Sequence, residues 1–342
     1  MLGGMAMAPP LPRSRILGTG HYLPSIVRTN ADLEKIVDTS DAWISERTGI
    51  RARHIAPDGL ITSDMAAGAA KGALEMAGLK GSDLDMIIVG TVTPDMPMPA
   101  TAAFLQQKIG AGSCPAFDLS AACAGFIFGL SIADQFIGAG QMRHVLVVGV
   151  ELLSRVVDWT DRSTCVLFGD GAGAAVLGPS GAAPSDAKPR GLLSTSIHTD
   201  GSLTGALFIP GGGSATPTSH ATVDQRLQYV HMKGQDVFKA AVKNLLSTSL
   251  QSLERSGLTK SDIDWVCPHQ ANKRIIDQVV ARVEIPPERI LMNIDRVGNT
   301  SSASIPILLD ESIRAGKVKE GDTVLMCALG AGISWGSAIV RM

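Results

Sequence analysis

Aromatic side chains are scarce in this sequence, with 4 Trp, 2 Tyr and 8 Phe in 342 residues. Glycine is abundant at 37, so many tight turns and close backbone approaches are expected. Cysteine is sparse: Cys114, Cys123, Cys165, Cys267 and Cys327 make an odd count with no CxxC pair. That argues against a disulfide framework and against a zinc knuckle. Neither sign of charge dominates, and the net charge of −2 argues against broad nucleic-acid binding. No apolar run is long enough to cross a bilayer; Val145–Val150 is typical of those present. Met1 to Arg13 has methionines and prolines but no continuous apolar stretch of the kind a secretory signal needs, and reads as a loose tail. The expected setting is a reducing cytoplasm.

What the chain does have is 45% apolar and 18% charged residues, the balance of a compact globular protein. Its length suggests two domains. Met86–Val89, Val145–Val150, Ala174–Leu177 and Val324–Ala328 read as buried strands, and Trp265–Cys267 as another. Ser63–Ala77, Ala124–Gly138, Gln235–Ser256 and Lys273–Val283 read as helices, the first with capping chemistry from Thr62, Ser63 and Asp64. The alternation is that of an α/β protein. Pro179–Pro189 is the best linker, and Gly211–Ser219 a second loose stretch on the surface.

The two sides of that linker resemble each other. Gly78-Leu-Lys-Gly-Ser-Asp-Leu-Asp-Met-Ile is matched 179 residues on by Gly257-Leu-Thr-Lys-Ser-Asp-Ile-Asp-Trp-Val. Val145-Leu-Val-Val-Gly and Val324-Leu-Met-Cys-Ala stand at the same offset, and Asp118 in Phe117-Asp-Leu is matched at 177 by Asp295. Three ordered pairs at near-constant spacing indicate a duplicated unit. We therefore expect a loose tail over 1–13, one half over 14–180 and a second over 190–342. Two such halves can aim two strand-to-helix junctions at one crevice, where ligands of α/β sheets tend to bind.

Three residues stand at such junctions. Cys123 in Ser120-Ala-Ala-Cys-Ala-Gly-Phe opens an apolar helix, where free N–H groups and the helix dipole favour thiolate over thiol. Taken alone it is equally a buried structural cysteine. His269 in Pro268-His-Gln-Ala-Asn272 follows a strand, and Asn299 lies in Gly298-Asn-Thr-Ser-Ser. Singly, His269 is equally a satisfied core histidine, and Asn299 reads as a turn cap. Other patterns carry no chemistry. Gly332-Ile-Ser-Trp-Gly336 fits a nucleophile elbow but leaves no room for the helix that must follow. Gly169-Asp-Gly-Ala-Gly173 leads into a strand and lacks the Lys-Ser/Thr of a phosphate loop, so it is read as close backbone packing. Cys267 and His269 have no partners nearby for a metal.

Taken together, these segments resemble the β-ketoacyl-(acyl-carrier-protein) synthase III family of the thiolase superfamily. The resemblance runs from Ile16 to Met342. It is carried by Asp38-Thr-Ser-Asp-Ala-Trp-Ile-Ser-Glu-Arg-Thr-Gly-Ile-Arg, Ala-Cys-Ala-Gly-Phe, Phe168-Gly-Asp-Gly-Ala-Gly-Ala, Pro268-His-Gln-Ala-Asn, Gly298-Asn-Thr-Ser and Ser334-Trp-Gly-Ser. It implies a five-layered αβαβα fold of two pseudo-symmetric halves and a homodimer. No metal or cofactor is implied beyond the substrates, acyl-CoA and malonyl-acyl carrier protein. Cys123 takes the acyl group, His269 and Asn299 promote decarboxylation, and the N–H groups of Cys123 and Ala331 form an oxyanion hole. The same matching assigns Trp43, Arg47 and Arg162 to the adenine end of CoA, and Gly234, Phe238, Ala271 and Asn272 to the pantetheine tunnel. Met98, Phe168 and Leu329 line the acyl pocket. Met98 stands where the family often has Phe, which points to primers beyond acetyl; Leu329, Ala331 and Gln235 also depart from the common residues. Lys273 and Arg274 are candidates for docking an acidic carrier. Two readings compete. One is a natural-product ketosynthase or acyltransferase on the same scaffold. The other is a papain-like Cys-His-Asn hydrolase, whose disulfides and leader are missing and which leaves the repeat unexplained.

Overall fold

A computed structural model describes residues 13–181 and 188–342. Most of the expected N-terminal tail and the middle of the Pro179–Pro189 stretch therefore lie outside the described residues.

The N-terminal strands are β1 (Ser14–Tyr22), β2 (Met86–Gly90), β3 (Ala116–Leu119), β4 (Val145–Glu151) and β5 (Gly171–Pro179). They form one sheet in the order β1-β5-β4-β2-β3. β2, β3 and β4 are mutually parallel where they pair, and β5 is antiparallel to both β4 and β1. The C-terminal strands are β6 (Gly191–Thr199), β7 (Trp265–Pro268), β8 (Thr323–Gly330) and β9 (Ser334–Arg341), ordered β7-β8-β9-β6. Here β7 runs parallel to β8, while β9 is antiparallel to both its neighbours. The two sheets thus repeat one topology. β2, β4 and β8 are buried along their whole length, as continuous Val/Ile/Leu-rich runs require when both faces are covered.

The main helices are α1 (Asp41–Thr48), α2 (Thr62–Ala77), α3 (Thr101–Lys108), α4 (Gly125–Gly138), α5 (Gly234–Ser256), α6 (Lys273–Val283) and α7 (Ser304–Arg314). α2 and α3 cover the outer face of the first sheet, and α5 with α6 cover the outer face of the second. α4 and α7 lie between the sheets, where α4 touches strands of both. The result is the five-layered αβαβα arrangement. α4 has the composition of a helix buried all round, whereas α6 is amphipathic.

The repeat extends further than the sequence matches. α7 begins at Ser304, 179 residues after α4 begins at Gly125, and each is preceded by one 3₁₀ turn, Ala122–Ala124 or Ser301–Ala303. The first residues of those turns, Ala122 and Ser301, both have left-handed φ values of 45° and 50°. The Asp118–Asp295 match, however, does not hold. Asp118 lies in β3 and caps α3 through the backbone N–H groups of Thr101 and Ala102, at 2.7 and 2.8 Å. Asp295 lies in a short helix, Ile294–Val297. The second sheet has only a bridge between Val266 and Ile290 where the first has β3, so shared aspartates there reflect no shared strand. The capping expectation at α2 is also narrowed. Asp64 alone accepts the Ile61 N–H, while the Thr62 hydroxyl donates to the Thr93 carbonyl.

Two glycines set how closely the layers meet. A Cβ on Gly149 of β4 would come within 2.2 Å of the Ser302 carbonyl oxygen, and one on Gly330 of β8 within 2.4 Å of the Cys123 nitrogen. Both obstacles are backbone, which has little freedom to move. Gly149→Ala is expected to lower stability by about 1–3 kcal/mol through overpacking. Gly112→Ala, at an exposed position with nothing within 4 Å, should stay within about 0.5 kcal/mol of the parent. Denaturant midpoints of the two variants check this; equal midpoints would contradict it.

Candidate active site

Cys123 sits in the 3₁₀ turn that feeds α4 and is 7% exposed. It opens onto a cavity of about 260 Å³, lined among others by Val92, Phe168, Phe208, Ser301 and Ala331. Burial pushes the thiol pKa up to about 12, the nearby Glu151 carboxylate adds to the rise, and the Ser301 hydroxyl opposes it. The expectation of a ready thiolate is thereby corrected. The helix start is present, but loss of hydration outweighs it, and the resting group is a thiol.

His269 follows β7 and is held by its backbone N–H on the Cys327 carbonyl at 2.8 Å. Its Nδ1 lies 2.5 Å from Ser304 Oγ at the start of α7, and its Nε2 is buried without a partner. Burial drives the imidazole pKa down to about 3, so the ring is neutral at physiological pH. Ser304 Oγ already accepts the Gln270 N–H, at 3.4 Å. Its own proton has only His269 Nδ1 to go to among the described residues. That assigns Nδ1 as acceptor and Nε2 as the N–H, a buried donor left unused.

Asn299 is fixed by its backbone, which exchanges bonds with Leu167 and Gly169 beside Phe168. Its Oδ1 accepts the Ser301 N–H at 2.9 Å, which turns the amide and leaves the Nδ2 donors without a protein partner among the described residues. One six-residue segment, 299–304, therefore reaches all three groups. Ser301 lines the Cys123 cavity, Asn299 is a member itself, and Ser304 orients the imidazole. The site combines one buried thiol with two neutral N–H donors, an arrangement suited to stabilising oxyanions beside a nucleophile.

Comparison with known proteins agrees with this geometry. The family profile "3-Oxoacyl-[acyl-carrier-protein (ACP)] synthase III" matches residues 117–201, and its C-terminal counterpart matches 253–342. The beta-ketoacyl-[acyl-carrier-protein] synthase III of Caldanaerobacter subterraneus subsp. tengcongensis is 51% identical over 95% of this chain and 97% of its own. The chain belongs to the β-ketoacyl-[acyl-carrier-protein] synthase III family. It is a condensing acyltransferase of fatty acid synthesis. The synthase III of Paramagnetospirillum magneticum is likewise 51% identical, over 96% of this chain and 99% of its own. The crystal structure of the synthase III from Aquifex aeolicus superposes with a TM-score of 0.86 at 46% identity, covering 96% of this chain and 100% of that one.

The structure gathers some of the other family-matched residues and separates others. Trp43 on α1 carries the guanidinium of Arg47 at 5.1 Å and that of Arg162 at 4.9 Å from its ring centroid. A planar ring between two cations is a surface on which a base and phosphates can settle. α1 packs against α6, with Lys273 set against Gly49. Gly234 opens α5, and Phe238 and Ala271 are half-buried against one buried apolar cluster. The Asn272 side chain is spent as the cap of α6, accepting the Arg274 N–H at 2.9 Å. Phe168 and Ala331 line the Cys123 cavity as expected. Leu329 instead borders a small apolar pocket beside His269, because β8 carries it to the other side of Gly330. Met98 is 83% exposed and is not brought to Cys123 within the chain. Gly171 and Gly173, from the rejected phosphate-loop pattern, press directly on Ile307 and Pro306 of α7. Three residues of the site escaped the sequence reading: Ser301, Ser304 and Glu151. Only Glu151 carried a signal, as a charge closing an otherwise apolar strand.

The neutral imidazole can be observed directly. Nitrogen NMR of ¹⁵N-histidine-labelled protein should show His269 as the Nε2–H tautomer, unprotonated at pH 6; titration of this ring between pH 5 and 8 would contradict the assignment.

Proposed function

We propose that this synthase runs a two-stage condensation with Cys123 as the acyl carrier and His269 with Asn299 as the decarboxylation pair. The reading treats 14–180 as the half that holds the nucleophile and 190–342 as the half that holds the donors. An acyl-CoA enters with its adenine end at Trp43, Arg47 and Arg162, and its pantetheine arm along Gly234, Phe238, Ala271 and Asn272. The Cys123 sulfur attacks the thioester carbonyl, and the N–H groups of Cys123 and Ala331 hold the oxyanion. In support, Gly330 has no side chain and lets the β8 terminus lie against the Cys123 nitrogen.

Malonyl-acyl carrier protein follows after CoA departs. Loss of CO₂ leaves an enolate whose oxygen takes the Nε2–H of His269 and the Nδ2–H of Asn299. Neutral donors serve here because the charge they meet exists only during reaction. The enolate carbon attacks acyl-Cys123, and collapse releases the β-ketoacyl product. No metal is required. Met98 fits this scheme through a homodimer, its exposed side chain capping the acyl pocket of a second copy in a cytoplasmic enzyme. The observation that carries the reading is the segment 299–304, which links thiol, amide and imidazole.

Two expectations test it. With labelled acyl-CoA, Cys123→Ala should carry no thioester. His269→Ala and Asn299→Ala should acylate but lose malonyl decarboxylation by about 10²–10³-fold, the usual cost of one oxyanion donor. Equal loss of both half-reactions would refute the division. The second concerns the carrier. Lys273 is paired with Asp277 at 2.8 Å, while Arg274 has no ion-pair partner among the described residues. Lys273→Glu with Arg274→Glu should raise KM for malonyl-acyl carrier protein and leave acylation by acyl-CoA nearly unchanged. The wild-type rate should fall with salt as the Debye length shrinks from about 10 Å at 0.1 M. An unchanged KM across the salt range would move the docking surface elsewhere.

A further inference from the structure

Glu151 is a buried carboxylate to which the condensation scheme gives no task. It ends β4 with no exposed surface. Its Oε2 accepts from the Thr93 hydroxyl at 2.7 Å, the Val92 N–H at 3.1 Å and the Thr91 hydroxyl at 3.3 Å. Its Oε1 faces the Ser301 hydroxyl at 3.1 Å and the Ser302 hydroxyl at 3.2 Å. No Lys, Arg or His among the described residues pairs with it. A buried carboxylate balanced only by hydroxyls and one amide is a costly way to tie two loops together.

The same site lacks a base. The Cys123 thiol is protonated at rest and must lose its proton to attack a thioester. His269 offers no free lone pair, because Ser304 holds its Nδ1 and its Nε2 bears hydrogen. Between the thiol and Glu151 stands Ser301, which lines the Cys123 cavity and donates its hydroxyl to Glu151 Oε1 at 3.1 Å. The hydroxyl of Ser302, by contrast, also lies 2.8 Å from the Gly90 carbonyl, which takes its proton.

We propose that Glu151 is the proton acceptor for acylation of Cys123, working through the hydroxyl of Ser301. The step rests on the assignment of Cys123 as the acylated residue. As the sulfur bonds to the acyl carbon, its proton passes to Ser301 Oγ, and the Ser301 proton passes to Glu151 Oε1. The carbon–sulfur bond to CoA breaks, and the CoA thiolate takes a proton from solvent as it leaves. Glu151 then stores one proton through the acyl-enzyme state. When the enolate displaces Cys123, the proton returns through Ser301 to the departing thiolate. One turnover consumes one proton, which leaves as CoA thiol, and Glu151 ends as it began. Burial raises the carboxyl pKa to about 7, where it can both take and return a proton near neutrality.

The test is single-turnover acylation by acyl-CoA without malonyl carrier, followed by intact mass from pH 5.5 to 9. The wild-type rate constant should rise with pH through an inflection near 7, because the carboxylate form is the acceptor. Glu151→Gln should lose that inflection and acylate about 10²-fold or more slowly at pH 7.5. Ser301→Ala, which leaves the carboxylate in place, should lose it as well. A folded Glu151→Gln protein that keeps the inflection overturns the proposal. If that variant does not fold, an unchanged profile in Ser301→Ala does so. No label on Cys123 in the wild type would defeat the underlying assignment of the nucleophile, and this proposal with it.

Discussion

Everything at this site depends on two strand-to-helix junctions meeting backbone to backbone. Gly149 lets β4 press on the Ser302 carbonyl ahead of α7, and Gly330 lets β8 press on the Cys123 nitrogen ahead of α4. With side chains at either position the central layer would stand off from its sheet, and the segment 299–304 could not reach thiol and imidazole together. Close packing of this kind is rigid. It holds the donors in place before any substrate arrives, which is the condition under which hydrogen bonds stabilise a transient charge without reorganising.

That same closeness removes water, and the loss of water governs the ionisation of all three titratable groups. The thiol and the Glu151 carboxyl are pushed up, and the imidazole is pushed down. In each case desolvation is the largest cause, ahead of any neighbouring charge. The site therefore rests with a neutral thiol and a neutral imidazole, and only the carboxyl is left near its balance point at neutral pH. A mechanism written for these groups moves protons most readily between neighbours, since burial leaves them little contact with solvent.

Pseudo-symmetry supplies the frame but not the chemistry. The two halves deliver equivalent turns, Ala122–Ala124 and Ser301–Ala303, each with a left-handed first residue. One turn carries Cys123; the other carries the Ser301 and Ser302 hydroxyls that reach Glu151. The halves also diverge at the edge, where the first sheet has β3 and the second only the Val266–Ile290 bridge.

Much of this was legible in the residues themselves. Continuous apolar runs bounded by turns gave the buried strands, and helical periodicity gave α2, α4, α5 and α6 to within a residue or two, because the period of apolar residues is a local property. The 179-residue offset exposed the duplication, and Cys123, His269 and Asn299 stood out at junctions that such a duplication brings together. The Asp118–Asp295 match misled, since a short motif does not report whether a strand has a neighbour to pair with. What only the tertiary structure decided were the quantities set by distant segments. Whether Cys123 rests as thiol or thiolate depends on burial by cavity walls scattered from Val92 to Ala331. The tautomer of His269 depends on a serine 35 residues away, and the partners of Glu151 on hydroxyls 150 residues on. Ionisation and hydrogen-bond direction follow from what surrounds a group in space, and a linear sequence specifies those surroundings only through the fold.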